Sequence, residues 1–358
     1  MSINISNLLP IIIVFQSLLF SLILFSNKGE KKNSNYYLAS FLVLLGVQFI
    51  FIIVKDIGVK SNFINSSAFL FGYCYGPILY FYTKSLVYKS FDFQRIQLVH
   101  FLPGLFFTSL LILGLPVNEM IGVFMYLSLI CYVFVATKDI FNYRKVIRET
   151  RSEINQINLL WLQKTMILFT IALLLDIFDR FLGSLDFYRN LPFTYLIIAF
   201  LVNWMFYKGF KQPQIFLGIT KQDEKIVQDK KNVSEAKKPN KADSLDLKLI
   251  KDFMNNNEVY LNPQLNLDQL SDYLNISPRR LSYLINTFLN INFISFINSY
   301  RVKKAKELIE LYEENETIVS ILYESGFNSK SVFNEAFKKN AGITPTEYRK
   351  NYMTKKYS

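Results

Sequence analysis

The sequence predicts an all-α chain: a seven-helix transmembrane bundle followed by a cytoplasmic domain of two helix-turn-helix units joined by a linker helix. Three observations predict it. Seven long apolar runs fill most of residues 8–207. The composition then turns polar and charged after Lys208. In the last part of the chain, apolar residues recur every three or four positions, and turn residues break that pattern twice. The boundaries drawn from these are 1–210 for the seven-span domain, 211–243 for a charged flexible linker and 244–358 for the tandem helix-turn-helix domain.

Length and composition agree with this division. A chain of 358 residues calls for two or more domains. A hydrophobic fraction of 51% with 34 phenylalanines exceeds what a polar-surfaced globular protein carries, so apolar surface must be accommodated elsewhere. The net charge of +12 suits nucleic acid or an anionic membrane face without choosing between them. Cys74 and Cys131 both fall inside apolar runs, which excludes a disulfide framework and a Cys-rich zinc site.

Leu8 to Phe25 carries no charge, and its lysines follow it. A cleaved signal would have positive charge before the apolar core and small residues at a cleavage site after it, so this run reads as an uncleaved span. Tyr36 to Val54, Ala68 to Val87, Leu98 to Val117, Met120 to Phe141, Leu160 to Phe178 and Phe193 to Tyr207 follow. Each approaches the length needed to cross an apolar layer of about 30 Å. Alternate loops differ in basic charge. Lys28, Lys31 and Lys32, then Lys89 and Arg95, then Lys138, Arg144, Lys145, Arg148 and Arg151 make one rich set. The positive-inside rule puts that set in the cytoplasm, the N-terminus outside, and everything after Tyr207 inside the inner (cytoplasmic) membrane of a bacterium.

Polar residues in the membrane half are few: Gln16, Gln48, Lys84, His100, Asp176, Asp179, Arg180 and Asn203. Those near span ends read as interface anchors. Asp176 and Arg180 stand four apart, suited to pair along one helix face. His100, the single histidine, starts a span with no carboxylate beside it, so it reads as an anchor and not as a metal ligand or proton switch.

From Lys208 to Asp243 charges abound and apolar residues are sparse, so the second half of this stretch reads as a flexible tether. Ser244 reads as the cap of a helix carrying Leu247, Ile250 and Phe253. Leu267, Leu270 and Leu274 then make one short helical face. After Asn275 to Ser277 the pattern restarts with Leu281, Leu284, Ile285 and Phe288, with Ser277 as cap and Pro278 at the first helical position. An amphipathic helix, FISFINSYRVKKAKELIE, leads to a second pair. Ile318, Ile321 and Leu322 form one face, Gly326 gives the turn its backbone freedom, and Ser329 can cap a helix carrying Val332, Phe333, Ala336 and Phe337.

The order helix-turn-helix, linker helix, helix-turn-helix, closing with GFNSKSVFNEAFKKNAGITPTEYR, resembles the DNA-binding domain of AraC/XylS-type (arabinose-regulator) transcription factors. The resemblance covers the chain from about Leu247 onward. It implies that each second helix enters the major groove of double-stranded DNA, the two reaching successive turns about 34 Å apart. Helix geometry leaves Arg279, Arg280, Ser282, Tyr283 and Asn286 outward on the first reading helix, and the family's base-reading positions match Arg279, Ser282 and Tyr283. On the second, Lys330, Ser331, Asn334, Glu335 and Lys338 face outward, and the family's base contacts match Lys330 and Ser331. An arginine at position 279 can grip guanine through two hydrogen bonds, worth about 1–3 kcal/mol against a wrong base. Glu335 departs from the family, where arginine is common and a carboxylate repels phosphate. Leu322 departs too, since a small residue is usual where the paired helices meet.

Catalysis finds no motif: the P-loop pattern, HExxH, a nucleotide-binding Gly-rich domain with a phosphoacceptor histidine, and a mid-span retinal lysine are all absent from the sequence. No catalytic, cofactor-binding or metal-ligating residues are expected. Two functions remain: a membrane-anchored regulator of transcription with a sensory membrane half, or a receptor or transporter-like protein whose cytoplasmic helices bind a protein partner. The tail favours the first. A homodimer is expected with it, because a flexible tether transmits no rotation but does raise the local concentration of two readers, and so is an unidentified ligand of the membrane domain.

Overall fold

The structure is a computed structural model describing residues 5–27, 32–59, 61–115, 120–152, 154, 157–182, 193–211, 218–232, 240–313 and 315–357. Helices make up its regular structure, and among the described residues no strand forms beyond isolated bridges. Contacts divide the chain into two compact units: Met1–Asn142 with Leu159–Gly218, and Tyr143–Asn158 with Ile219–Ser358.

The first unit holds α1 (Ile5–Ser26), α2 (Lys32–Asp56), α3 (Asn62–Val87), a 3-10 turn (Arg95–Phe101), α4 (Leu102–Ile112), most of α5 (Met120–Thr150), α6 (Leu160–Leu182) and α7 (Phe193–Lys211). Helices α1, α2, α3 and α4 pack in sequence, and α7 returns against α1, α2 and α6. Gly72 and Gly76, one turn apart on α3, let α5 come close: a Cβ on them would fall 2.1 Å from the Met125 sulfur and 2.6 Å from the Tyr132 ring. Small residues four apart are the usual device for close helix approach inside lipid.

Each expected apolar run contains helix, although Leu98 to Val117 opens on a 3-10 turn and leaves the helix after Ile112. Among the described residues four segments are long and apolar enough to cross a membrane: Leu8–Ser26, Asn33–Asp56, Arg95–Ile112 and Ile121–Thr150, with Leu160–Ala172 a shorter apolar helix. Helix α3 dilutes its apolar residues with glycine, serine, tyrosine and Lys84. The side chains of Asp176, Asp179 and Arg180 lie outside the described residues. Gln16, Gln48, Lys84, His100 and Asn203 find partners. Asn203 donates to Gln16 (2.9 Å), Tyr75 pairs with Gln48, Trp204 donates to Thr165 (3.1 Å), and His100 Nδ1 meets the Tyr132 hydroxyl at 2.6 Å. Lys84 lies over the rings of Tyr80 and Tyr88.

Two readings of the sequence are corrected at the junction. Helix α5 runs on past its apolar run to Thr150, so Lys138, Arg144, Lys145 and Arg148 stand on a helix and not in a loop. Within the stretch expected to be a flexible linker, α8 (Lys221–Asn232) forms, with Ile226 and Val227 buried. Thr220 closes its first turn: its N–H and hydroxyl both donate to the Asp223 carboxylate, at 2.8 and 2.9 Å.

The second unit continues with α9 (Lys241–Asn256), a 3-10 turn (Val259–Leu261), α10 (Leu267–Leu274), α11 (Pro278–Phe288), α12 (Phe293–Tyr312), α13 (Ile318–Glu324), α14 (Lys330–Ala341) and α15 (Pro345–Lys356). Two apolar clusters organise it. Ile250, Met254, Leu267, Leu270, Leu274, Leu281, Leu284, Ile285 and Phe296 build one, with Ile226 of α8. Val302, Ala305, Ile309, Ile321, Leu322, Phe327, Phe333 and Phe337 build the other. Helix α12 contributes to both and so joins them.

Candidate nucleic-acid interface

The two reading helices are set by short-range chemistry. Asn266 and Gln269 form a reciprocal capping box at the start of α10, and Asn275 ends it in the left-handed region, φ 54°. Ser277 then accepts from the Arg280 N–H at 3.2 Å, with Pro278 in the first helical position. In the second helix-turn-helix Thr317 caps α13, and Gly326 makes the turn at φ 84°. Two caps differ from expectation. Asn240, not Ser244, starts α9, because Asn240 and Asp243 complete a capping box one turn earlier. Ser329 holds the cap position of α14, but its hydroxyl meets Ser331 at 3.0 Å instead of a backbone N–H. The Gly-x-Thr-Pro landmark resolves into a left-handed C-cap at Gly342, a Thr344–Glu347 capping box and Pro345 at the first position of α15.

Gly326 has a second constraint. A Cβ there would lie 2.7 Å from Leu261 Cα and 2.9 Å from the Tyr260 carbonyl oxygen, so the turn of the second helix-turn-helix sits hard against the backbone that leads into the first. Arg301, on α12 and 1% exposed, ties the same place. Its guanidinium donates to the carbonyls of Tyr260 (2.7 Å) and Asn262 (2.8 Å) and to the Ser152 hydroxyl (3.2 Å), and it lies over the Phe327 ring. The sequence reading missed this residue; the signal available was an arginine on the apolar side of a helix, which is affordable only when its donors are met.

The expected contact residues divide. On α14, Lys330, Ser331, Glu335 and Lys338 are exposed and Asn334 is half-buried, all on the side away from the second cluster. On α11, Arg279 is exposed and Tyr283 and Asn286 are half-buried. Arg280 is engaged within the protein: it donates twice to Asp246 (2.9 and 2.7 Å) and pairs with Asp243 (2.8 Å), both on α9. The hydrogen bond to Asp246 first, and the charges of both carboxylates, hold its pKa above the ordinary arginine value. These bonds tie α11 to α9 through Arg280. Ser282, expected outward, is 5% exposed and accepts from Asn286 at 3.1 Å. Helix α8 packs on this same α11. Among the described residues no group of His, Cys, Asp and Glu is arranged to hold a metal ion.

Comparisons with known proteins fall on this unit. A family model described as a helix-turn-helix domain matches residues 270–351. An uncharacterized HTH-type transcriptional regulator of Staphylococcus aureus (strain COL) is 34% identical over 92 residues, which is 26% of this chain and 12% of the relative. Regulatory protein PocR of Salmonella typhimurium (strain LT2) is 27% identical over 124 residues, 35% of this chain and 40% of PocR. The chain thus matches less than half the length of each of these curated relatives. The C-terminal domain of AraT, a response regulator from Geobacillus stearothermophilus, is 30% identical, covering 29% of this chain and 84% of that one, at a TM-score of 0.25. The two curated relatives are named as regulators, and the family model falls on the part of the chain that holds the two helix-turn-helix units.

Proposed function

We propose that the chain is a membrane-anchored, sequence-specific DNA-binding transcription regulator, built on the C-terminal helix-turn-helix domain of the AraC type. The observation that carries the reading is the pair of reading helices, each the second helix of a helix-turn-helix. They leave Arg279 on α11, and Lys330, Ser331 and Lys338 on α14, at the surface. Arg279, Tyr283 and Asn286 read bases in one groove segment and Lys330, Ser331 and Asn334 in the next, while Lys338 neutralises phosphate. The membrane half crosses the bilayer seven times, with the N-terminus outside and the reading unit in the cytoplasm. Supporting it, first-unit side chains such as Phe15, Leu22, Leu113 and Phe134 are 64–73% exposed, a surface suited to lipid. This half senses a ligand or stimulus, and two copies act together on adjacent DNA sites.

The test uses the full chain in lipid nanodiscs and a duplex enriched from a random pool. Arg279→Ala should flatten the preference for the enriched duplex over scrambled sequence by about 1–3 kcal/mol. Lys338→Ala should weaken both duplexes alike and reduce the salt slope by about one. If no duplex is enriched, or if both variants lose specific and scrambled DNA equally, the reading fails.

A further inference from the structure

The second unit contains a piece of chain from far upstream. Helix α5 continues without a break to Thr150, and its last turns from Tyr143 belong to the same compact unit as the helix-turn-helix pair. The residues after it are built into that unit. The Ser152 N–H donates to the Leu265 carbonyl (3.2 Å), and its hydroxyl donates to the Pro263 carbonyl (3.1 Å) while accepting from Arg301 (3.2 Å). Arg151 forms an antiparallel bridge with Asn266, the residue that caps α10, and its guanidinium lies 3.9 Å from Asp223, the residue that closes the first turn of α8. Thr150 and Ser152 are each 1% exposed, and Tyr143 folds the segment back by donating to the Ile157 carbonyl at 2.8 Å.

These contacts converge on two elements. One is the entry to the first helix-turn-helix, through Leu265, Asn266 and Arg301. The other is the N-terminus of α8, the helix that packs on reading helix α11 and places Ile226 in the cluster of Leu281, Leu284 and Ile285. Polar groups buried this completely hold their partners firmly while paired and lose them together once separated, because each is costly to leave alone. We infer that residues 150–152 are a latch: docked against Arg301, Leu265 and Asn266, they hold α8 on α11 and keep the first reading helix from entering a groove. A displacement of α5 undocks them and releases it. The latch rests on the DNA-reading function proposed above, and names how that function is switched.

The test is a reversible lock on the full chain in nanodiscs. Arg151 and Asn266 face each other as a non-hydrogen-bonded antiparallel pair, whose Cα atoms stand about 4.5 Å apart, inside the disulfide range. Arg151→Cys with Asn266→Cys, in a Cys131→Ser background, should therefore cross-link under mild oxidant, as read by peptide mapping. With a duplex enriched using the parent and the reduced double variant, the oxidised form should bind at least ~10-fold more weakly than the same protein after reduction. Ser152→Ala, which removes the acceptor of Arg301 and the donor to Pro263, should bind ~3–10-fold more tightly than the parent. Asn266→Cys alone controls for the lost cap. Equal affinity of oxidised and reduced forms, or tighter binding when locked, overturns the latch and leaves the DNA function standing, as does failure of the pair to cross-link. Failure of every form to enrich any duplex overturns both.

Discussion

Arg279 and Arg280 are adjacent in sequence and opposite in circumstance. Arg279 is at the surface, while Arg280 ties α11 to Asp243 and Asp246 of α9. The two alanine variants should therefore fail differently. Arg280→Ala leaves the Asp243 carboxylate, whose side chain is 6% exposed, with its cap bond but no cation, and should cost about 1–3 kcal/mol in denaturant unfolding of the purified chain, whereas Arg279→Ala should leave the midpoint in place. Equal midpoints for both would show that the triad adds nothing. Spacing alone made these two arginines equivalent, because the partners of Arg280 lie 34 residues away, beyond the reach of any local period. Gly326 was legible as a turn residue, but its second role was not. A side chain at φ 84° is strained, and it would also collide with the backbone at Leu261, so Gly326→Ala should lose more than the ~1–2 kcal/mol of the conformational penalty alone. Glu347 illustrates a cap with a pH signature. Hydrogen bonds from the Thr344 backbone and hydroxyl, with Lys338 nearby, hold its pKa below the ordinary 4.5. A depressed carboxylate stabilises the fold above its unfolded pKa, and that stabilisation disappears as pH falls through the lower folded value. An NMR titration of Glu347 should therefore show a midpoint under 4.5, and one at or above it would remove the capping box as the cause.

Among the elements, the helices of the two helix-turn-helix units were the most legible, since each buries a face at helical spacing and is bounded by cap or turn residues. The second cluster contains the residues expected of it, including Leu322, which is buried. Helix α8 was not legible. Its segment KQDEKIVQDKKN has two adjacent apolar residues and no repeat of them, so nothing local distinguishes it from a solvated tether. What folds it is a place for Ile226 in the first cluster. Ile226→Ala should accordingly lower stability by about 2–4 kcal/mol. Amide exchange across 221–232 should also rise toward the rate of free chain. Unchanged exchange would mean that the helix stands without its anchor. The continuation of α5 escaped the sequence reading for a related reason: its charged end was assigned to a loop on hydropathy, yet Tyr143, Val146 and Ile147 bury a helical face within it.

At the scale of the whole molecule, the apolar runs were read as spans from composition, and the asymmetry of lysine and arginine between loops gave their direction. Reporter fusions after Lys211 should be active in the cytoplasm and those at the N-terminus outside. A fusion after Lys211 that is active outside would separate the reading helices from the chromosome and defeat the function with the topology. The division into two units also sets an order of events during synthesis. Ser152 and Arg301 are 149 residues apart, with α6 and α7 of the other unit encoded between them. At about 5–20 residues per second, the ribosome delivers Arg301 some 7–30 s after Ser152 has emerged. Throughout that interval the buried seat of Ser152 does not yet exist, and the stub after α5 waits with its polar groups in water while the next two helices are made. The first reading domain is therefore completed late in translation, around a segment that was in place before it.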